Sequence, residues 1–126
     1  MENSQTRRVY TKLTASQLQE LLKDYSQPKI VIKFSATWCK PCKLIKELCD
    51  KCFSELPEDY IIADIDIDET LDLYGMLKRK RMVNGVPTLL YYDSTEDHDT
   101  IWHIPDDSVS GANEKEIRDF FSRCKQ

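Results

Sequence analysis

Two cysteines separated by two residues, in Trp38-Cys39-Lys40-Pro41-Cys42, are the side chains of this sequence best suited to chemistry. One helical turn brings thiols at this spacing within bonding reach, so the pair is suited to cycling between dithiol and disulfide. They follow Lys29 to Ser35 (KIVIKFS), whose Ile, Val and Phe mark a buried strand. After them Leu44, Ile45, Leu48, Cys52 and Leu56 recur every three or four residues, which predicts a helix over 41–56 ended by Pro57. Cys39 would then open a helix, where unpaired N–H groups and the dipole favour the thiolate and draw its pKa from about 8.5 toward 7. Cys39 is the expected nucleophile and Cys42, further into the helix, the expected resolving thiol. Pro41 stiffens the turn at no cost in helical hydrogen bonds. A metal knuckle or a pair of idle core thiols are the competing readings.

The chain around them has 126 residues, the size of one domain spanning 1–126. At this size about 60 to 70% of the unfolded surface is buried, enough for a core without disulfide staples. Five cysteines are too few for a disulfide scaffold, and an odd number cannot all pair within the chain. Eighteen basic against 22 acidic residues give a net charge of -4, which disfavours nucleic acid or an anionic membrane as the general partner. Residues 1–8 are polar, with no apolar stretch behind them, so a secretory signal or membrane span is not expected. The cytosol or nucleus is the expected compartment, where thiols stay reduced.

The elements that must position the dithiol follow from periodicity. Arg7 to Leu13 reads as a strand; Thr14 and Gln17 have capping-box spacing before a helix carrying Leu18, Leu21, Leu22 and Tyr25 and closed by Pro28. Tyr60 to Ile67 reads as a strand and Asp68 to Arg81 as a helix, with a turn at Asn84-Gly85. Thr88 to Tyr92 and Thr100 to Ile104 are expected to form an antiparallel hairpin around Asp93 to Asp99. Asn113 caps a last helix bearing Ile117, Phe120, Phe121 and Cys124. The order β-α-β-α-β-α-β-β-α predicts an α/β fold, a central mixed sheet flanked by helices on both faces. In such sheets the working site lies beyond the carboxyl ends of central strands, which is where Cys39 falls.

Phe34 to Lys43 (FSATWCKPCK) resembles the thioredoxin active-site segment, with Lys40 where most members have Gly, and Val86-Pro87-Thr88 resembles the family's cis-proline loop. The resemblance covers about residues 8 to 122 and implies a thioredoxin fold and a Cys39–Cys42 redox disulfide. It implies further that Val86 and Pro87, with Trp38, Lys40 and Pro41, hold an extended client peptide beside the dithiol. The activity implied is reduction or exchange of protein disulfides by a monomer. Clients would be disulfide-containing proteins, and thioredoxin reductase or glutathione the electron donor. No cofactor or metal is called for. A thioredoxin-like adaptor with weak turnover, or a weak oxidase or isomerase, are the alternatives.

Lys33 departs from the family pattern, which has a buried Asp beneath the resolving cysteine. Asp64 on the neighbouring strand, where some bacterial thioredoxins carry Lys, makes a reversed pair the expectation, with Lys33 acting on Cys42; snorkelling of Lys33 to the sheet edge is the plainer reading. Lys40 adds a cation beside Cys39 and should make the couple modestly more oxidising, by about 30 mV at most. Cys49 and Cys52 repeat the CxxC spacing, but a rise of about 10 Å from Cys42 to Cys49 on one helix is too long for a four-thiolate zinc site. Packing is the expected role of both, with a second redox pair as the alternative. Cys124 reads as core, or as a surface thiol open to glutathionylation. Lys78-Arg79-Lys80-Arg81 is a basic run suited to nuclear localisation, to an acidic client, or simply to a helix end. His98 and His103 are isolated and suggest no metal site.

Overall fold

The computed structural model describes residues 9–23, 29–93 and 102–126. Five strands, β1 (Val9–Tyr10), β2 (Lys29–Ser35), β3 (Ile61–Asp66), β4 (Thr88–Asp93) and β5 (Asp107–Ser110), form one sheet in the order β1-β3-β2-β4-β5. β3 runs parallel to β1 and β2, whereas β4 runs antiparallel to β2 and β5, so the sheet is mixed. The helices are α1 (Ala15–Leu22), α2 (Lys40–Leu44), α3 (Lys46–Ser54), α4 (Leu71–Arg79) and α5 (Glu114–Cys124).

β2 is central because it is apolar on both faces: Ile30, Val31, Ile32 and Phe34 are all fully buried. Successive side chains alternate, so the sheet divides the core in two. Ile30, Ile32 and Phe34 meet Leu18 and Leu22 of α1 and Leu73 and Leu77 of α4. Val31 lies with Cys49 and Phe53 of α3 and Ile117, Phe120 and Phe121 of α5. Phe53 and Phe121 pack edge to face at 5.5 Å and join α3 to α5. Local signals set the starts of α1 and α5. Thr14 and Gln17 bond reciprocally as a capping box, and the Asn113 side chain accepts from the Glu116 N–H.

Several elements differ from the sequence expectations. The helix expected over 41–56 is two helices, broken at Ile45, which has φ -109 and ψ 6 and is fully buried. Ile45 is thus both the C-cap of α2 and the N-cap of α3. Of the expected second hairpin strand, Thr100 and Ile101 lie outside the described residues and 102–104 are turn, while β4 pairs with Asp107–Ser110. There Trp102 packs on the core and the Tyr92 hydroxyl donates to the His103 carbonyl, so side-chain anchoring replaces a ladder. β5 was hidden by its polar alternation, natural for an edge strand with one face in water. Among the described residues the first strand is Val9–Tyr10, and Leu13 beyond it is buried outside any strand. A 3-10 turn over Ile67–Glu69 precedes α4, which starts only at Leu71. Arg7, Tyr25, Pro28 and His98 lie outside the described residues.

α4 ends in a tight reversal. The Met82 N–H donates to Leu77 O at 2.8 Å and the Arg81 N–H to Lys78 O at 3.0 Å, the paired bonds of a left-handed helix stop. Arg81, with φ 65, stands where glycine is normal. An Arg81→Gly substitution should raise stability by about 1 kcal/mol in urea unfolding, because it removes the Cβ clash at that φ. Unchanged or lower stability would show that the arginine side chain compensates.

Candidate active site

The site lies where β2 ends. After Ser35 the chain turns, the Cys39 N–H donates to Ala36 O at 3.1 Å, and Cys39 becomes the N-cap of α2. Its sulfur accepts from the Cys42 N–H at 3.2 Å, a contact that favours negative charge on that sulfur. Pro41 sits in the first turn. Cys39 and Cys42 are disulfide-bonded with Cα atoms 5.3 Å apart, and both are buried.

A second loop closes on the pair. The Val86 carbonyl oxygen is 3.8 Å from Cys39 Sγ, and the Val86–Pro87 bond is cis. Three elements hold this loop. The Tyr74 hydroxyl of α4 accepts from the Gly85 N–H at 3.0 Å, the Thr88 hydroxyl donates to Gly85 O at 2.7 Å, and the Gly111 N–H beyond β5 donates to Pro87 O at 2.9 Å. Gly85 has φ 120, a conformation open to glycine. Tyr74 is itself fixed by an edge contact with Phe34 at 5.5 Å. Sequence reasoning passed over Tyr74 and Thr88 as supports. The available signal was a tyrosine on a core stripe, whose hydroxyl needs a partner.

Trp38, beside Cys39 in the chain, is 65% exposed, and its indole N–H donates to Asp68 at 2.9 Å. Asp68 is in turn set by the Asp66 carboxylate, which accepts from the Asp68 N–H. Asp68, read from the sequence only as the start of a helix, thus orients the indole beside Cys39. Lys40 is exposed at the start of α2.

Lys33 does not snorkel to the sheet edge. It is 3% exposed, stands opposite Asp64 in the β2–β3 register, and its ammonium is 3.7 Å from Asp64 Oδ1. Lys33 and Asp64 line one cleft of about 410 Å³ together with Cys42, Lys43, Lys46 and Asp66. The pair therefore opens onto the cleft that Cys42 also lines.

The other thiols are free and buried. Cys49 and Cys52 belong to the core on the α3/α5 side, while Cys39 and Cys42 belong to the opposite one. Among the described residues no group of three or more His, Cys, Asp or Glu is arranged to hold a metal ion. Burial pushes the Cys49 thiol up to about 11, against a smaller downward pull from Lys33, and pushes Cys124 up to about 12. Cys124 is 1% exposed and so is core, not a surface thiol. Both groups keep their protons in the folded chain to higher pH than in the unfolded one. Their stabilising contribution is complete below about pH 9, the ordinary value, and is lost as pH rises toward 11 and 12. In reduced, folded protein at pH 8, iodoacetamide should alkylate Cys39 and spare Cys49 and Cys124 in peptide mass maps; comparable labelling of all three would contradict this burial.

The model of the family described as Thioredoxin matches residues 9–122. The chain belongs to the thioredoxin family. Among its relatives, Thioredoxin 3 of Plasmodium falciparum is 30% identical over 106 residues, which are 84% of this chain and 53% of that protein. The chloroplastic thioredoxin-like protein CITRX of Arabidopsis thaliana is 32% identical over 90 residues, 71% of this chain and 47% of that one. The chain spans about half the length of these curated relatives. Fasciola hepatica thioredoxin superposes with a TM-score of 0.66 at 27% identity, covering 94% of this chain and 99% of the other. The family match over residues 9–122 and this superposition show the thioredoxin fold, with the Cys39–Cys42 pair inside the matched stretch.

Proposed function

We propose that this thioredoxin-family chain is a thiol-disulfide oxidoreductase acting on protein disulfides. The observation that carries the reading is the Cys39–Cys42 disulfide at the N-cap of α2, facing the Val86 carbonyl. In the reduced form the Cys39 thiolate attacks one sulfur of a client disulfide, forms a mixed disulfide and releases the other client sulfur as a thiolate. Cys42, as thiolate, then attacks the Cys39 sulfur and expels the second client thiolate. Two electrons pass to the client, both client sulfurs take up protons, and the Cys39–Cys42 disulfide results. Thioredoxin reductase or glutathione restores the dithiol. The half-buried Val86 offers its backbone to an extended client strand, beside the exposed indole of Trp38.

Resolution depends on Cys42 losing its proton. Lys33, sharing its cleft, takes the place of the family's buried acid and favours the thiolate through its charge. Asp64 neutralises that ammonium in part, but it is 34% exposed against 4% for the lysine side chain, so water screens the carboxylate more. Three buried free thiols suit a reducing compartment, and the cytosol is the one proposed. The protein is proposed to act as a monomer.

Insulin reduction by dithiothreitol, followed as turbidity with and without the protein, tests the reading. Marked acceleration is expected. No acceleration by protein whose Cys39–Cys42 disulfide is reducible would instead leave an adaptor.

A further inference from the structure

We propose that the end of α4 is a docking rim for an acidic segment that flanks the target disulfide in client proteins. Lys78, Arg79, Lys80 and Arg81 are all exposed, and none has an ion pair or side-chain hydrogen bond among the described residues. Four adjacent unpaired cations stand out in a chain of net charge -4. Helix stability accounts for only two of them. A helix dipole is served by cations in the last turn, which Lys78 and Arg79 supply, whereas Lys80 and Arg81 lie past the end. Arg81 moreover keeps its positive φ where glycine would sit without strain.

Position links this patch to the dithiol. Lys78 and Arg81 line a cleft of about 370 Å³ with Val83 and Asn84, the start of the loop that carries Val86 to Cys39 Sγ. Val86 is five positions along the chain from Arg81, a reach of at most about 18 Å. A client strand lying along Val86 with its disulfide at Cys39 brings residues a few positions away over these cations. The other end of α4 is acidic, with Asp68, Glu69 and Asp72, so the sign of charge along the helix sets the direction in which the client lies. Long-range attraction of this kind raises association rates and selects partners by charge.

The proposal rests on the oxidoreductase reading, and its test separates the two. Two peptides with the same central disulfide, one flanked by glutamates and one by lysines, are reduced by the reduced protein at low salt. The glutamate peptide should show a kcat/KM about tenfold higher, with the ratio shrinking as ionic strength rises. In Lys78→Gln/Arg79→Gln/Lys80→Gln/Arg81→Gln the ratio should fall to within about twofold of one. Independently, fluorescence anisotropy on Cys39→Ser/Cys42→Ser should show tighter binding of the glutamate peptide with its cysteines replaced by serine. Failure of the oxidoreductase reading abolishes reduction of both peptides yet leaves that binding preference. Equal rates and equal binding in the unsubstituted patch, an unchanged ratio in the fourfold variant, or stronger binding of a single-stranded oligonucleotide than of the acidic peptide would overturn the proposal.

Discussion

Replacing Cys39 with serine is expected to lower disulfide reduction by at least about a thousandfold, because a serine hydroxyl at neutral pH supplies no anion comparable to a thiolate. Cys42→Ser should fail differently. The first attack survives, since Cys39 keeps its N-cap position and the Cys42 N–H that meets its sulfur is backbone. Turnover is lost, because nothing attacks the mixed disulfide, and one client accumulates per protein. Non-reducing electrophoresis and intact mass should show that adduct with Cys42→Ser and none with Cys39→Ser. The reverse pattern would exchange the two roles, and wild-type turnover by Cys42→Ser would remove the resolving step. The asymmetry follows from where the sulfurs sit: Cys39 faces the Val86 loop, whereas Cys42 lines the cleft with Lys33.

The Lys33 and Asp64 substitutions should have opposite effects. Lys33→Met removes an ammonium that costs desolvation, and a methionine of similar length fills the space, so stability should be unchanged or higher. Asp64→Asn leaves that ammonium buried without its counter-ion. A fully buried pair broken this way costs about 3 to 5 kcal/mol; water at the partly exposed carboxylate reduces the figure to about 2 kcal/mol. The double variant should recover the stability of Lys33→Met. Function should move the other way round. Without Lys33 the Cys42 thiolate is less favoured, so the pH profile of mixed-disulfide resolution should shift upward by about one unit and the rate at pH 7 fall about tenfold. Asp64→Asn should shift the profile downward. A pair that serves structure alone would change unfolding midpoints and leave both pH profiles superimposed on that of the wild type.

Much of the site was legible in the residues themselves. Two thiols a helical turn apart, at the end of the most apolar strand, define a redox pair wherever a β-to-α junction occurs, since both spacing and junction are local. The capping signals at Thr14 and Asn113 were equally local, and both hold. Elements decided by long-range contacts were not legible. Asp107–Ser110 has no strand-like composition, and its pairing with β4 exists only because an open edge was available. Ile45 carries no helix-breaking signal, and what marks it in the fold is full burial in the cluster that holds Ile117, Phe120 and Phe121 of α5, far along the chain.

The sequence by itself determined the spacing of the Cys39–Cys42 pair, the mixed α/β order and the odd count of thiols, because spacing and periodicity rest on neighbours a few residues apart and the count on composition. Tertiary structure alone decided what surrounds them. It buried Lys33 and set it opposite Asp64, tied the Trp38 indole to Asp68, and brought the Val86 carbonyl, 47 positions away, to the Cys39 sulfur. It also divided the other cysteines from the active pair, raising Cys49 and Cys124 beyond easy ionisation through burial. The physical reason is the same throughout. Thiol chemistry is intrinsic to the side chain, while charge and reactivity depend on desolvation and on partners that only the folded sheet brings together.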